Sequence, residues 1–185
     1  MDFKLILIRH GKTKGNENKK YIGITDEPLS QNGIQEIKDR LYPKADRVIS
    51  SPMQRCRQTA ELIYGDNYEV YDNLRECNFG MFENKSYEEL KNEPNYIKWL
   101  ESSGVIPPPG GEGKEEFAER CCVCFENIIK SNSADNVAFV VHGGTIMSIL
   151  ERYCGGSFYD YQLGNGEYIV CNCSITDGEY RLVII

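Results

Sequence analysis

Three short segments rich in apolar residues, each followed by a helical pattern, constrain the fold most strongly. They are FKLILI (3–8), DRVIS (46–50) and NVAFVV (136–141). Continuous apolar runs of this length are typical of strands in a parallel sheet that helices cover on both faces. Strands that alternate with helices therefore predict an α/β domain with a mostly parallel central sheet.

The remaining elements follow from periodicity and turn residues. Helices are predicted at 32–42, 114–131 and 145–154. Another is predicted from Pro52 to Tyr64, with a capping box between Ser51 and Gln54 and with Pro52 as the first helical residue. A short strand is expected at 68–72, and two strands joined at TDGE (176–179) predict a hairpin near the end of the chain. Residues 73–113 are irregular, with one or two short helices near 86–101, and are the candidate for an inserted lid.

Composition narrows the functional classes. A chain of 185 residues, 41% hydrophobic and 26% charged, suits one domain. Its net charge of −7 argues against a nucleic-acid partner. No apolar segment is long enough to span a membrane, and the first residues lack the pattern of a secretory signal. We therefore expect a cytoplasmic protein with no membrane partner, whose eight cysteines are reduced.

Two cysteine clusters need separate interpretation. Cys121 and Cys124 fall on the apolar face of a predicted helix, and Cys122 lies between them. Cys171 and Cys173 share one face of a predicted strand. Small core residues are the favoured interpretation, while a zinc site would require the two elements to meet. The role of the clusters stays open at this stage.

The chain contains two histidines, and both stand where a strand ends. His10 follows the first apolar segment and His142 follows the third, and each precedes a glycine. Ligands of open α/β sheets bind at the carboxyl ends of strands. Glycine there allows a sharp turn and lets a ligand approach the backbone N–H closely. The matched pair therefore indicates a functional site.

Arginines accompany the histidines. Arg9 precedes His10, and Arg55 lies in the first turn of the helix that follows the second strand. Guanidinium groups bind phosphate oxygens in a bidentate manner, so these residues predict a phosphate-sized cationic pocket. Gly11-Lys12-Thr13 looks like the end of a nucleotide-binding P-loop, but the other glycine that such a loop needs is replaced by Ile6.

Phosphoryl transfer through a covalent intermediate needs a nucleophilic side chain. No cysteine has an arginine six positions later, and no D-x-D pair occurs, which argues against cysteine- and aspartate-based phosphoryl transfer. Histidine can itself attack phosphorus and form a phosphohistidine. The leaving oxygen then needs a proton from a carboxylic acid. Glu76 and Glu83 are the candidates.

Five segments resemble the motifs of the histidine phosphatase superfamily, branch 1, also called phosphoglycerate mutase-like. They are RHGKTKGN (9–16), GITDEPLSQNG (23–33), SSPMQRCRQTA (50–60), LRECNFGMFE (74–83) and VVHGGTI (140–146). The resemblance covers nearly the whole chain in the family's order. It implies one domain over 1–185, folded as a three-layer α/β/α sandwich with a small inserted lid at about 73–113.

The resemblance also implies roles for individual residues. His10 is expected to be the nucleophile and Glu76 the general acid, which then activates water. Glu83 is expected to be structural. The residues expected to hold the phosphoryl group are Arg9, Asn16, Arg55, His142 and Gly143. No metal or other cofactor is expected.

The reaction that the resemblance implies is metal-independent hydrolysis of a small phosphorylated metabolite. NYIKWL (95–100) and GGEGKEEF (110–117) resemble the corresponding parts of α-ribazole-5′-phosphate phosphatases. Sugar phosphates and broad specificity remain open as alternatives. So do a phosphoglycerate mutase-type transfer, for which the chain is short, and a non-enzymatic phosphate-binding or metal-binding regulator.

Overall fold

The computed structural model describes residues 1–185 and contains one six-stranded sheet. The strands are β1 (Asp2–Arg9), β2 (Arg47–Ser50), β3 (Glu69–Val70), β4 (Asn136–Val141), β5 (Tyr168–Thr176) and β6 (Glu179–Ile184). Their order across the sheet is β3-β2-β4-β1-β5-β6. The pairings from β3 to β1 are parallel, and those of β5 with β1 and β6 are antiparallel. The predicted mostly parallel α/β sheet is confirmed.

Seven α-helices complete the fold. They are α1 (Lys14–Glu17), α2 (Gln31–Asp39), α3 (Gln54–Tyr64), α4 (Tyr87–Leu90), α5 (Pro94–Glu101), α6 (Lys114–Lys130) and α7 (Gly143–Cys154). None of these helices combines the length and the apolar character needed to cross a bilayer.

Two buried clusters on opposite faces of the sheet produce the three layers. Leu5 and Leu7 of β1 point to the face covered by α6 and α7, whereas Ile6 and Ile8 point to the face covered by α3. The alternation follows from the two-residue period of a strand. Because both faces are covered, the apolar runs of β1 and β4 are buried throughout.

The cysteine clusters belong to this core. Cys122, Cys124, Cys171 and Cys173 pack in the cluster beneath α6 and α7, and Cys121 is also fully buried. All eight cysteines are free thiols. No group of three or more His, Cys, Asp or Glu residues is arranged to hold a metal ion.

The capping box predicted for α3 is wrong. The helix begins at Gln54, with Met53 at the cap position and no side-chain cap from its own segment. The N–H of Gln54 instead donates to Asp26, 2.7 Å away, in a loop distant in sequence. The hydroxyl of Ser51 lies 2.7 Å from His142 Nε2. It therefore forms a hydrogen bond with His142 and does not cap the helix. A tertiary contact has thus replaced the local one.

The other boundaries differ from the predicted ones by a few residues. The strand predicted at 68–72 shortens to Glu69–Val70, and α2 ends at Asp39 instead of 42. Helix α7 begins two residues earlier than predicted, at Gly143, with His142 as its N-cap. The hairpin turns at Asp177 and Gly178, both with positive φ.

Residues 73–113 carry the two short helices expected there, α4 and α5. Phe82, Leu90 and Tyr96 form a small core of their own in this segment. Tyr21, Phe79 and Trp99 pack against it. The segment thus has an apolar core separate from the two clusters that cover the sheet.

Candidate active site

A cavity of about 430 Å³ opens at the carboxyl ends of β1 and β4. These strands are adjacent and parallel, with Arg9 opposite Val141, so the residues that follow each strand emerge together. Arg9, His10, Asn16, Glu76 and Gly143 all line the cavity. The structure therefore brings together five of the seven residues that the sequence nominated.

His10 is buried, and one of its ring nitrogens is committed. Its Nδ1 lies 2.7 Å from the carbonyl oxygen of Gly11. A carbonyl can only accept, so Nδ1 carries the proton and Nε2 keeps a free lone pair. Burial lowers the pKa of His10 well below 6.5, and the charges of Arg55 and Arg9 lower it further. The ring is therefore neutral, and its free Nε2 is chemically able to act as a nucleophile.

Glu76 is a buried carboxyl that lines the same cavity as His10. It is 9% exposed, and burial raises the pKa of this carboxyl above its ordinary value. The N–H of Cys77 donates to Oε1 at 3.0 Å, and the N–H of Gly144 donates to Oε2 at 3.2 Å. These bonds fix the orientation of the carboxyl group and oppose the effect of burial on its pKa.

Arg9 and Asn16 line the cavity, and each keeps a donor that has no partner in the protein. Arg9 donates through Nη1 to the carbonyl oxygen of Leu163, while its buried Nε has no partner. Asn16 accepts from the Thr13 N–H at 3.1 Å and from Asn165 Nδ2 at 3.2 Å. Because both bonds use the amide oxygen of Asn16, its NH₂ group is left to donate to a ligand.

Arg55 is wholly buried and does not line the cavity. Its guanidinium donates at 2.8 Å to the carbonyl oxygens of Thr25 and Gly23, and its Nε has no partner. Glu83 holds the same loop from the other side, since it accepts from the N–H groups of Gly23 and Ile24. Glu83 is thus a structural carboxylate.

His142 also lies behind the cavity wall, with no exposed surface. Its ring centroid is 5.2 Å from that of His10. Its Nε2 forms a hydrogen bond with Ser51 at 2.7 Å, and Cys56 Sγ is 3.5 Å from the same nitrogen. Burial, followed by the charge of Arg55, lowers the pKa of His142 well below 6.5.

Sequence reasoning missed several residues of the cavity. Asn165 donates to the carbonyl oxygen of His10 as well as to Asn16, but it stands in a loop without any motif. Three lysines and an aromatic wall were missed too, because they come from separate segments that only the fold brings together. They are Lys19, Lys20 and Lys114, with Tyr21, Phe79, Trp99, Phe117, Phe158 and Tyr159.

A doubly wound sheet with histidine, arginine and a buried carboxyl at its carboxyl edge defines the class of α/β proteins suited to phosphoryl transfer. A family model narrows this class, since the histidine phosphatase superfamily, branch 1, matches residues 5–183. The chain belongs to this superfamily. The family, the fold class and the assignment as a phosphatase are confirmed.

Curated relatives and a solved structure agree with this placement. The adenosylcobalamin/alpha-ribazole phosphatase of Escherichia coli K12 is 28% identical, over 82% of this chain and 79% of that protein. Phosphoserine phosphatase 1 of Hydrogenobacter thermophilus is 27% identical, over 90% and 85%. The crystal structure of the alpha-ribazole phosphatase from Shigella flexneri superposes with a TM-score of 0.84 at 24% identity, covering 99% of this chain and 96% of that one.

Proposed function

We propose that this protein hydrolyses a phosphate monoester of a small metabolite through a phosphohistidine formed on His10. The observation that carries the proposal is that one cavity holds a histidine with a free ring nitrogen and a buried, oriented carboxyl. The Nδ1 of His10 is bonded to the Gly11 carbonyl oxygen, which leaves Nε2 free, and burial raises the pKa of the Glu76 carboxyl. In this proposal His10 is the nucleophile and Glu76 is the general acid.

In the first step, the Nε2 lone pair attacks phosphorus, and the bond from phosphorus to the ester oxygen breaks. Glu76 gives its proton to that oxygen, so an alcohol leaves instead of an alkoxide. In the second step, water attacks the phosphohistidine while the Glu76 carboxylate takes its proton. The P–N bond breaks, inorganic phosphate leaves, and Glu76 is again protonated.

The phosphoryl oxygens need donors, and we propose that Arg9, which lines the cavity, supplies one of them. The Nε–H of Arg9 is buried and has no partner in the protein. Buried donors without partners are rare, and a ligand is one explanation for them. Asn16 and the N–H of Gly143, at the start of α7, are the other proposed contacts. The charge of Arg55, and the Ser51-bound ring of His142, act from beneath the cavity floor in this proposal.

The aromatic wall supports a substrate whose leaving group contains a flat ring. Tyr21, Phe79 and Trp99 stand on one side, next to the small core of residues 73–113, and Phe117 and Phe158 come from other segments. Rings stack favourably between such side chains. We propose α-ribazole 5′-phosphate as the first candidate and sugar phosphates as the second. Residues 73–113 serve as the lid over this half of the cavity.

We further propose that the protein works in the cytoplasm without a nucleic-acid or membrane partner. The eight free thiols suit a reducing compartment. The net charge of −7 disfavours polyanions in general, whereas the cavity itself is lined by cationic side chains that attract a small phosphate.

The test is a panel of phosphomonoesters that includes α-ribazole 5′-phosphate, phosphoserine, sugar phosphates and an aryl phosphate. The wild-type protein should hydrolyse at least one of them at an unchanged rate after dialysis against EDTA. Label from a ³²P-phosphate ester should appear on the protein under an alkaline quench and should be absent from His10→Ala. Near-wild-type turnover by His10→Ala would refute the mechanism.

The role of Glu76 has its own readout. A general acid contributes on the order of 10²–10⁴-fold, and it matters most for a poor leaving group. Glu76→Gln should therefore lose far more activity on an alkyl phosphate than on p-nitrophenyl phosphate. Glu83→Gln is the matched carboxyl control and should show no such bias.

A further inference from the structure

The segment that carries Glu76 is held by a side chain from another element. Arg120 of α6 donates through Nη1 to the carbonyl oxygens of Asn73 and Arg75, at 2.8 and 3.1 Å. Arg75 immediately precedes Glu76. The backbone on the N-terminal side of the carboxyl is thus attached to α6.

Arg120 is fixed in turn by Glu112, in the turn before α6. Its Nε and Nη2 bind the two carboxylate oxygens at 2.9 and 2.8 Å. Glu112 also holds the C-terminal side of the segment, since its N–H donates to the Asn78 carbonyl oxygen at 2.8 Å and its carboxylate accepts from the Asn78 N–H at 3.4 Å. The two residues of the ion pair therefore form hydrogen bonds with the 73–78 segment on both sides of Glu76.

The geometry of this ion pair differs from that of the surface pairs. The side chains of Arg120 and Glu112 are only 23% and 13% exposed, and Glu112 lines the cavity. A guanidinium can hold a carboxylate with one edge and carbonyl oxygens with another, which an ammonium group does less well. By comparison, the Arg152–Glu119 pair joins α7 to α6 by one contact, with 35% and 64% exposure.

We propose that the Glu112–Arg120 ion pair is a positioning device that sets the Glu76 carboxyl at the leaving oxygen. The inference rests on the proposed function, because it assumes that Glu76 is the acid. The Glu76 carboxyl receives two backbone N–H donors, one of them from Gly144 in α7. That bond survives only if the 73–78 segment keeps its distance from α7. A displacement of about 1 Å can cost on the order of 10²-fold in rate.

The experiment compares an alkyl phosphate with p-nitrophenyl phosphate in Arg120→Gln and in Glu112→Gln. Each variant should lose at least about tenfold more activity on the alkyl ester, because a misplaced acid affects the poor leaving group selectively. Arg152→Gln is the matched control, since it also removes an Arg–Glu ion pair made by α6, in this case the one that joins α6 to α7. It should keep the wild-type ratio of the two activities.

The double variant Arg120→Gln/Glu76→Gln separates positioning from general damage. If Arg120 acts through Glu76, the double variant should be no slower on the alkyl ester than Glu76→Gln alone. Equal losses on both esters in Arg120→Gln and Glu112→Gln, or full additivity in the double variant, would overturn the inference. Should Arg120→Gln fail to fold, Glu112→Gln gives the same comparison with a side chain of unchanged shape.

The result for Glu76→Gln distinguishes a failure of the positioning role from a failure of the proposed function. If Glu76→Gln shows the leaving-group bias and the Arg120 and Glu112 variants do not, the proposed function stands and the positioning role is wrong. If Glu76→Gln shows no bias in kcat/KM, which reports the first step, Glu76 is not the acid and the positioning role is wrong with it.

Discussion

At the scale of single residues, one physical cause sets two opposite shifts. Burial lowers the pKa of His10 and raises that of Glu76, because a low-dielectric pocket disfavours the charged form of each group. Each shift moves its group toward the form that the first step of the proposed mechanism requires, a neutral imidazole and a carboxylic acid.

Gly144 provides a test of how tightly Glu76 is held. A Cβ at this position would lie 2.4 Å from Glu76 Oε1 and 2.9 Å from Phe117 Cε1. Gly144→Ala should therefore displace the carboxyl and lower turnover of an alkyl phosphate by roughly 10²-fold, as for a misplaced catalytic group. Steady-state kinetics on the alkyl and aryl esters would measure the loss.

The neighbouring glycine is the comparison. A Cβ at Gly143 comes no closer than 3.4 Å to another group, the Arg9 Nε. Gly143→Ala keeps the backbone N–H and should lose much less activity. A larger loss in Gly143→Ala than in Gly144→Ala would contradict this account of the site.

At the scale of elements, α3 holds the loop that follows β1 through one hydroxyl. Thr59 donates to the Arg55 carbonyl oxygen at 2.6 Å and accepts from the Gly11 N–H at 3.0 Å. The carbonyl oxygen of Gly11 in turn accepts from His10 Nδ1. The residue whose carbonyl selects the tautomer of His10 is thus attached to the helix through its N–H.

Thr59→Val removes the hydroxyl and keeps the shape of the side chain. The buried Gly11 N–H would lose its partner, which costs about 1–3 kcal/mol of unfolding free energy. Turnover should fall as well, because the Gly11 carbonyl is no longer held against His10. Urea denaturation and kinetics of the same preparation would report both effects.

Ser148→Ala is the control for this prediction. The Ser148 hydroxyl is buried on α7 and has no hydrogen-bond partner. Its removal breaks no hydrogen bond, so it should not lower the unfolding free energy and should leave activity intact. Similar losses in the two variants would show that the Thr59 bond has no special role.

Elements were predictable from the sequence where their signals were local. The apolar run of β4 gave its bounds correctly, and the turn residues gave the hairpin. The start of α3 was not predictable, because its cap comes from Asp26 and its own Ser51 faces His142. Asn165 and the Glu112–Arg120 pair carry no local signal either, since their contacts exist only after the chain has folded.

At the scale of the whole molecule, the two buried histidines couple stability to pH. Each has a folded-state pKa well below its ordinary value of 6.5, so below about pH 6.5 the unfolded chain binds more protons than the folded chain. The stability is fully present above about pH 6.5 and is lost as the pH falls below it. Glu76 acts in the opposite sense above about pH 4.5, since its pKa is raised.

We therefore expect unfolding free energy to decrease from about pH 6.5 to pH 5. The two histidines together contribute up to about 2.7 kcal/mol per pH unit to this slope, and Glu76 makes the slope smaller because its pKa shift has the opposite sign. His142→Gln should lower the slope by about 1.4 kcal/mol per pH unit, because one titrating group is gone. Urea denaturation at pH 7, 6 and 5 would measure the slopes, and equal slopes in both proteins would exclude this source.

The position of β1 in the sheet has a consequence for how a newly made chain matures. β1 precedes its partners in the chain, and Lys4 pairs with Asn136 on one side and with Asn172 on the other. The strand that leads into His10 therefore keeps at least one open edge until β5 has left the ribosome. Such distant pairings slow folding, and open apolar edges allow contact with other chains. The site at the end of β1 can thus form only after β5 has been made, and β1 is exposed to aggregation during that interval.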